Sequence, residues 1–303
     1  MSAAASLPLS AEHAARLESA LRSSSIEDLA ALLWKLRRRW LAGKAPAALL
    51  EQGRELDLIE RESGAPPGLT PLGAKVSDSL TEFIFWRQRG RSHHAAEAVD
   101  ALRVERLRGK RILEVGCGAG VNLLSLQGFA DVVGVDVEPL YLQFSGILAR
   151  SENLPSPKVV CAPAETLPFE DAFFDVVLFP GSLPYMRIEL ALRETARVLK
   201  PGGRAIAVHS DLAQMFKLRV RQRGWKLLAP GTLLREARTF AGMAAYPWAG
   251  RVLVEPAAPI HVTHRRTQRW LDGAGLRLNA LETRRVSEEM CYVADKPERP
   301  SAS

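Results

Sequence analysis

Three glycines at alternate positions, Gly116, Gly118 and Gly120, follow the apolar run Ile112, Leu113 and Val115 and precede a second apolar stretch that begins at Val121. A buried strand, a turn free of Cβ atoms and a helix start together bring a backbone against a small ligand. Twenty residues beyond Gly116, another apolar run, Val132-Val-Gly-Val135, ends in Asp136. A carboxylate at that strand tip is placed to accept both hydrogen bonds of a ribose diol.

The spacing decides which cofactor is meant. The nicotinamide and flavin pattern G-x-G-x-x-G needs a glycine at position 121, where this chain has Val121. With the third glycine at 120 and Glu114 before the turn, the run resembles motif I of the class I S-adenosylmethionine-dependent methyltransferases (methyltransferase type 11-like). The remaining blocks follow in that family's order. Val159–Phe169, Phe174–Phe179 and Val198–Arg204 are similar to its third strand, its fourth strand and the turn before its fifth. The resemblance covers about Lys110 to Ala294. It implies a doubly wound, mostly parallel, seven-stranded α/β sheet of Rossmann-like form and S-adenosyl-L-methionine as cofactor.

By that resemblance Gly116, Cys117, Gly118 and Gly120 line the methionine and ribose end of the cofactor, and Glu114 orients their loop. Asp136 takes the ribose hydroxyls, and Val137 and Glu138 flank the adenine. Adenine contacts after the third strand fall to Ala164 and Glu165, because Pro163 stands where relatives often carry Asp or Asn. A proline offers neither a backbone donor nor a side-chain acceptor.

Methyl transfer from a sulfonium needs an in-line nucleophile and no acid for the leaving thioether, so alignment and water exclusion carry much of the work. A neutral hydroxyl acceptor also gains from a base. Strand C-termini face the ligand crevice of such sheets, which favours His209 at the end of the fifth strand. Asp211 just after it and Tyr185 after the fourth strand are the other candidates, with His93, His94, His261 and His264 further out. The loop Phe179-Pro-Gly-Ser-Leu-Pro-Tyr185 lacks the Asp/Asn-Pro-Pro-Tyr/Phe tetrad of amino-group methyltransferases, which argues against amine or amide nitrogen as the target. RNA ribose and carbon acceptors stay open.

The elements that must position these groups are legible around them. Strands are expected at Arg111–Val115, Val132–Asp136, Val159–Cys161, Val176–Phe179, Arg204–Val208, Leu276–Thr283 and Met290–Ala294. The helix Ile188–Leu199 places Ile188, Leu192, Thr195, Ala196 and Leu199 on one face, with Glu189 and Arg193 paired at i, i+4 outside. Between the fifth strand and a helix at Thr263–Ala274 the pattern breaks. This insert at 211–260 carries Met215, Phe216, Trp225, Phe240, Met243, Tyr246 and Trp248, and so has the character of an acceptor-binding element.

Residues 1–108 read as a separate helical unit, with a tail at 297–303 expected to be disordered. Leu29, Leu32, Leu33, Leu36 and Trp40 recur at helical spacing after Ser25, a plausible N-cap. Leu56–Glu62, Ser63–Gly68 and Leu69–Lys75 look like the strand, wing and corner of a winged-helix fold, followed by a helix at Val76–Phe85. Such modules either read DNA or dimerise and wall an acceptor pocket. The recognition segment Pro46–Glu55 has Arg54 as its one cation beside Glu51 and Glu55, poor equipment for phosphates, which favours packing and homodimerisation.

Composition bounds the rest. The chain has 303 residues, a net charge of +7 and three cysteines. Cys117, Cys161 and Cys291 suit reduced interior thiols, and neither a disulfide framework nor a metal site is indicated. With no signal-like or membrane-length apolar segment, the chain is expected to be soluble and cytoplasmic. Basic clusters at Lys35–Arg39, Lys217–Lys226 and Arg265–Arg269 leave nucleic acid as a partner that is not favoured over solvated helix faces. The resulting expectation is an enzyme that methylates a small, partly apolar metabolite on oxygen. Its rivals are an RNA methyltransferase using the basic insert and a winged-helix DNA-binding regulator that senses the cofactor. An oxidoreductase comes last, because Val121 breaks the dinucleotide spacing.

Overall fold

A computed structural model describes residues 9–38, 45–61, 67–91, 104–209, 221, 263–286 and 289–298. The chain divides into two compact units, one of Met1–His94, Cys117–Gln127 and Glu138–Cys161, the other of Ala95–Gly116, Gly128–Val137 and Ala162–Ser303. Apart from Arg221, the insert expected at 211–260 lies outside the described residues, as do Trp40, most of the wing and most of the tail.

The first unit is helical. It holds α1 (Ala11–Leu21), α2 (Ile26–Arg38), α3 (Ala47–Glu55), α4 (Pro71–Gln88), α6 (Val121–Leu126) and α7 (Pro139–Ser151), with the short strand β3 (Lys158–Cys161). The Ser10 hydroxyl caps α1 by accepting from the His13 N–H at 3.1 Å. Thr70 caps α4 in the same way, accepting from Gly73 at 2.9 Å, with Pro71 in the first turn. The expected stripe is buried: Leu29, Leu32, Leu33 and Leu36 pack with Leu17, Leu21, Leu58, Phe83 and Trp86. Each fully buried leucine contributes about 2 kcal/mol.

That core also takes in Val121 and Leu124 of α6 and Phe144 and Leu148 of α7, and the Trp86 indole donates to Ser125 at 2.8 Å. The expected N-cap Ser25 precedes α2, and its hydroxyl pairs with Gln52 of α3 at 3.0–3.1 Å. Of the expected winged-helix strands, the described residues hold a single antiparallel bridge, Ile59 with Leu69. The segment imagined as a recognition helix is α3, and the following helix is the longer α4.

The second unit is a sheet with helices. It holds α5 (Val104–Leu107), β1 (Arg111–Val115), β2 (Asp131–Asp136), β4 (Phe174–Pro180), α8 (Ile188–Val198), β5 (Leu199–His209), α9 (His264–Gly273), β6 (Arg277–Leu278), β7 (Arg284–Val286) and β8 (Glu289–Asp295). Its strands run in the order β2-β1-β4-β5-β8-β6, with β7 also paired to β8. The pairs β2-β1, β1-β4 and β4-β5 are parallel, and β8 runs antiparallel to β5. Ile112 aligns with Val132 on one side and Val176 on the other, and β1 is buried from Ile112 to Val115, with Ile112, Leu113 and Val115 apolar because both of its faces are covered. The chain leaves β1 for opposite neighbours, β2 and later β4, which makes their C-terminal ends the switch point where such sheets bind ligands.

Two details fix the strand starts and the helix layer. The Asp175 carboxylate accepts from the Arg111 N–H and from Lys200, each at 2.8 Å, tying the beginnings of β1 and β5 to β4. Trp270 of α9 donates its indole N–H to Glu189 of α8, the residue expected to pair with Arg193. The strand expected over Leu276–Thr283 is cut to β6, and a further strand, β7, forms just beyond that range. Asn279 explains the break, since its side-chain oxygen accepts from the N–H groups of Leu281 and Glu282 at 3.2 Å and turns the chain there.

Candidate active site

The glycine turn begins where β1 leaves the sheet. The Gly116 N–H still donates to Val135 of β2 at 2.7 Å, and then the backbone enters the left-handed region at Gly116 (φ +71°), Gly118 (+52°) and Gly120 (+70°). An L side chain pays about 1–2 kcal/mol for each such residue. The glycines differ in what surrounds them. A Cβ on Gly116 would lie 2.4 Å from the Ser182 Cβ, whereas one on Gly118 would meet no atom within 4 Å among the described residues. Gly116 is fixed by the protein itself. Gly118 has the open side that a close-approaching ligand requires, and in this respect the turn fits S-adenosylmethionine.

Around the turn the expected cofactor residues occupy strand tips. Glu114 is 1% exposed in β1, a carboxylate held in the interior just ahead of the turn. Cys117 is buried, and its backbone oxygen accepts from Gly120 at 2.8 Å, closing the turn. Asp136 ends β2 half-buried, its backbone oxygen bonded to the Ala162 N–H at 3.1 Å. Val137 is 69% exposed, so an apolar side chain stands open beside the acidic tip. Glu138 caps α7 through the Leu140 N–H and pairs with Lys75 of α4.

The segment after β3 that was expected to meet the adenine is braced from α8. Glu165 accepts from the Arg187 N–H at 2.7 Å, so one of its carboxylate oxygens is committed to the start of that helix. Glu194 accepts from the Leu167 N–H at 2.8 Å. Arg197 donates to the carbonyls of Leu167 and Phe169 and to Asp171, and it forks onto both oxygens of Glu194, all at 2.7–2.8 Å. The Arg197 guanidinium holds the Glu194 carboxyl below the usual carboxylate range, and Glu194 with Asp171 raises Arg197 in turn. Sequence reading missed both residues. The signal was the Glu-Thr-Ala-Arg spacing, i and i+3 on one helix face, but their backbone partners lie about 30 positions away.

At the end expected to face the acceptor, β4 stops at Pro180, paired with Val208 of β5. Gly181 donates to Val208 at 2.8 Å, and the Ser182 hydroxyl donates to the Val115 carbonyl. A 3-10 turn at Leu183–Tyr185 follows, with Leu183 and Pro184 buried and Tyr185 65% exposed. His209 is buried at the end of β5, stacked on Tyr292 of β8 with ring centroids 4.9 Å apart. His264 stacks on the same tyrosine at 5.5 Å. The β4–β5 pairing thus brings the segment bearing Tyr185 and the strand end bearing His209 out of the sheet together. Asp211, His93, His94 and His261 lie outside the described residues. Among the described residues no group of three or more His, Cys, Asp or Glu could hold a metal ion.

Comparison with known proteins agrees with this geometry. Residues 113–207 match the model of a methyltransferase domain. The chain is 32% identical over 187 residues to phthiotriol/phenolphthiotriol dimycocerosates methyltransferase 1 of Mycobacterium ulcerans, covering 56% of this chain and 66% of that protein. It is 39% identical over 99 residues to the fatty-acid O-methyltransferase of Mycolicibacterium smegmatis, covering 31% of this chain and 35% of that one. It therefore spans between about a third and two thirds of the length of these relatives. The protein solved in complex with the Trm112 methyltransferase activator of Haloferax volcanii shares the fold, at a TM-score of 0.51 and 16% identity over 75% of this chain and 96% of that one. From β1 through β5, strand order, glycine turn and sequence match agree: residues 113–207 form a methyltransferase domain of the class I S-adenosylmethionine-dependent fold.

Proposed function

We propose that this protein transfers a methyl group from S-adenosylmethionine to a small, partly apolar metabolite, on oxygen. The observation that carries the reading is the open left-handed turn at Gly118, in a chain whose second strand ends in Asp136. In this reading Gly116, Cys117, Gly118 and Gly120 hold the methionine and ribose end, with Glu114 bracing them. Asp136 accepts from the ribose diol, Val137 covers one adenine face, and Ala164 and Glu165 bound its edge. Bound here, S-adenosylmethionine supplies an electrophilic methyl on a sulfonium whose departure as a thioether needs no proton.

What the chain adds is alignment and a proton acceptor. Tyr185, exposed on its 3-10 turn, orients the acceptor hydroxyl. His209, its ring plane fixed by the Tyr292 stack, takes the proton, with Asp211 as the alternative acceptor. An apolar acceptor accords with the lipid-like substrates that the relatives' names state. Sites that take such acceptors are walled mainly by apolar and aromatic side chains, a type in which the sequence between 211 and 260 is rich. No helix among the described residues is long and apolar enough to cross a membrane, and a cytoplasmic enzyme that dimerises through residues 1–108 completes the reading.

The test is incubation of the purified chain with methyl-labelled cofactor and separated lipid, small-metabolite and RNA fractions, followed by mass spectrometry. The expected result is a labelled methyl ether or ester in the apolar fraction, lost in His209→Ala with cofactor affinity retained. Label in RNA, or on nitrogen, would replace this reading with another.

A further inference from the structure

We propose that Ser182 is a positioning residue that fixes the start of the glycine turn to the 3-10 turn carrying Tyr185. The inference rests on the methyltransferase reading above and concerns the same site.

Strand geometry shows why a side chain is needed at this point. Carbonyls of successive strand residues point to opposite neighbours. Gly116 bonds toward β2, so the carbonyl of Val115 faces β4. The β1–β4 ladder, however, runs only from Ile112 to Glu114, and β4 ends in Pro180, which has no N–H to donate. The Val115 carbonyl is thus buried one residue beyond its ladder, and an unsatisfied buried carbonyl is costly. The Ser182 hydroxyl fills that place.

The same residue sets the other side of the turn. A Cβ at Gly116 would lie 2.4 Å from the Ser182 Cβ, 2.9 Å from its Oγ and 3.5 Å from the Met186 Cε. Gly116 is therefore clasped by the first residue of the 182–186 turn through a hydrogen bond on its preceding carbonyl, and by both ends of that turn through contact. Leu183 and Pro184 are buried beneath it, so the turn is an anchored support. One hydroxyl then couples the cofactor end of the site to the segment that presents Tyr185.

The test compares the full-length chain with Ser182→Ala and Ser182→Thr by two measurements. Calorimetric titration with S-adenosylmethionine and S-adenosylhomocysteine is expected to show about tenfold weaker binding for Ser182→Ala, the effect of one lost hydrogen bond. The hydroxyl-retaining Ser182→Thr should stay near wild type. Hydrogen exchange of the peptide spanning residues 112–120, measured without ligand, should be faster in Ser182→Ala alone. A purely structural contribution would lower the melting temperature and leave the affinity of the folded protein unchanged. Wild-type affinity together with wild-type exchange in Ser182→Ala overturns the proposal. Should wild type bind neither molecule, the methyltransferase reading fails on its own, and the exchange measurement alone decides whether Ser182 positions the turn.

Discussion

Gly116→Ala and Gly118→Ala should separate folding from ligand binding within three residues of chain. Both positions are left-handed, at φ +71° and +52°, so alanine costs each about 1–2 kcal/mol of stability. At Gly116 the new methyl also falls 2.4 Å from the Ser182 Cβ, and relieving such an overlap adds about 1–3 kcal/mol. The sums are about 2–5 kcal/mol for Gly116→Ala against about 1–2 for Gly118→Ala. Denaturant unfolding followed by circular dichroism reads this difference, and Ser182→Gly placed on Gly116→Ala should recover the overlap part. Cofactor binding should show the reverse order of interest. The folded Gly118→Ala protein should bind S-adenosylmethionine at least about tenfold more weakly, equivalent to about 1.4 kcal/mol, because its methyl enters the space left for the ligand. Equal stability losses at the two positions, or unimpaired binding by Gly118→Ala, would refute the assignment of one glycine to the protein and the other to the ligand.

Arg197→Ala removes the donor shared by Leu167, Phe169, Asp171 and Glu194 and should cost about 2–4 kcal/mol, seen as a lower denaturation midpoint and faster proteolysis near Phe169. The pH dependence follows from the Glu194 carboxyl, which Arg197 holds below its ordinary value of 4.5. The folded state then binds fewer protons than the unfolded state in acid, so this stabilisation is complete above pH 4.5 and is lost as pH falls through the lowered value. Glu194→Gln should flatten that acid limb of the stability curve, and an unchanged limb would remove the pair from the account. For the thiols, burial pushes Cys291 up to about 12 and Cys117 is buried while Cys161 is exposed. Alkylation of the native protein near pH 8 should therefore label Cys161 alone, as read by peptide mass spectrometry, with all three labelled after denaturation.

The parts of the fold that were legible in the sequence are those in which burial alone dictates residue type. β1, β2 and β4 are apolar runs covered on both faces, and the alternate glycines mark a turn that other residues would strain. The α8 face of Ile188, Leu192 and Thr195 was likewise readable from its period, and all three are buried. What escaped depends on partners distant in the chain. Ser182 lay inside a loop whose sequence gives no hint that a carbonyl 67 positions earlier needs a donor. Arg197 and Glu194 drew no notice in the sequence, yet they bind the backbone of Leu167 and Phe169. Ser25 had the residue type of a helix cap, and Gln52 competes for its hydroxyl. Asn279 cut short an expected strand because its side chain satisfies two backbone donors locally, a choice that hydrophobic pattern cannot register. Nothing in the sequence told that Val121, Leu124 and Phe144 pack with the N-terminal helices.

The central claim is that the turn after β1 and the carboxylate at the end of β2 hold the nucleoside of S-adenosylmethionine. Isothermal titration of the full-length chain with S-adenosylmethionine and S-adenosylhomocysteine, repeated on Asp136→Ala, tests it most directly. The account predicts saturable one-to-one binding by wild type and a loss of about 1–3 kcal/mol in the variant as the diol loses its acceptor. No binding by wild type at millimolar ligand, or equal affinity in Asp136→Ala, would contradict it.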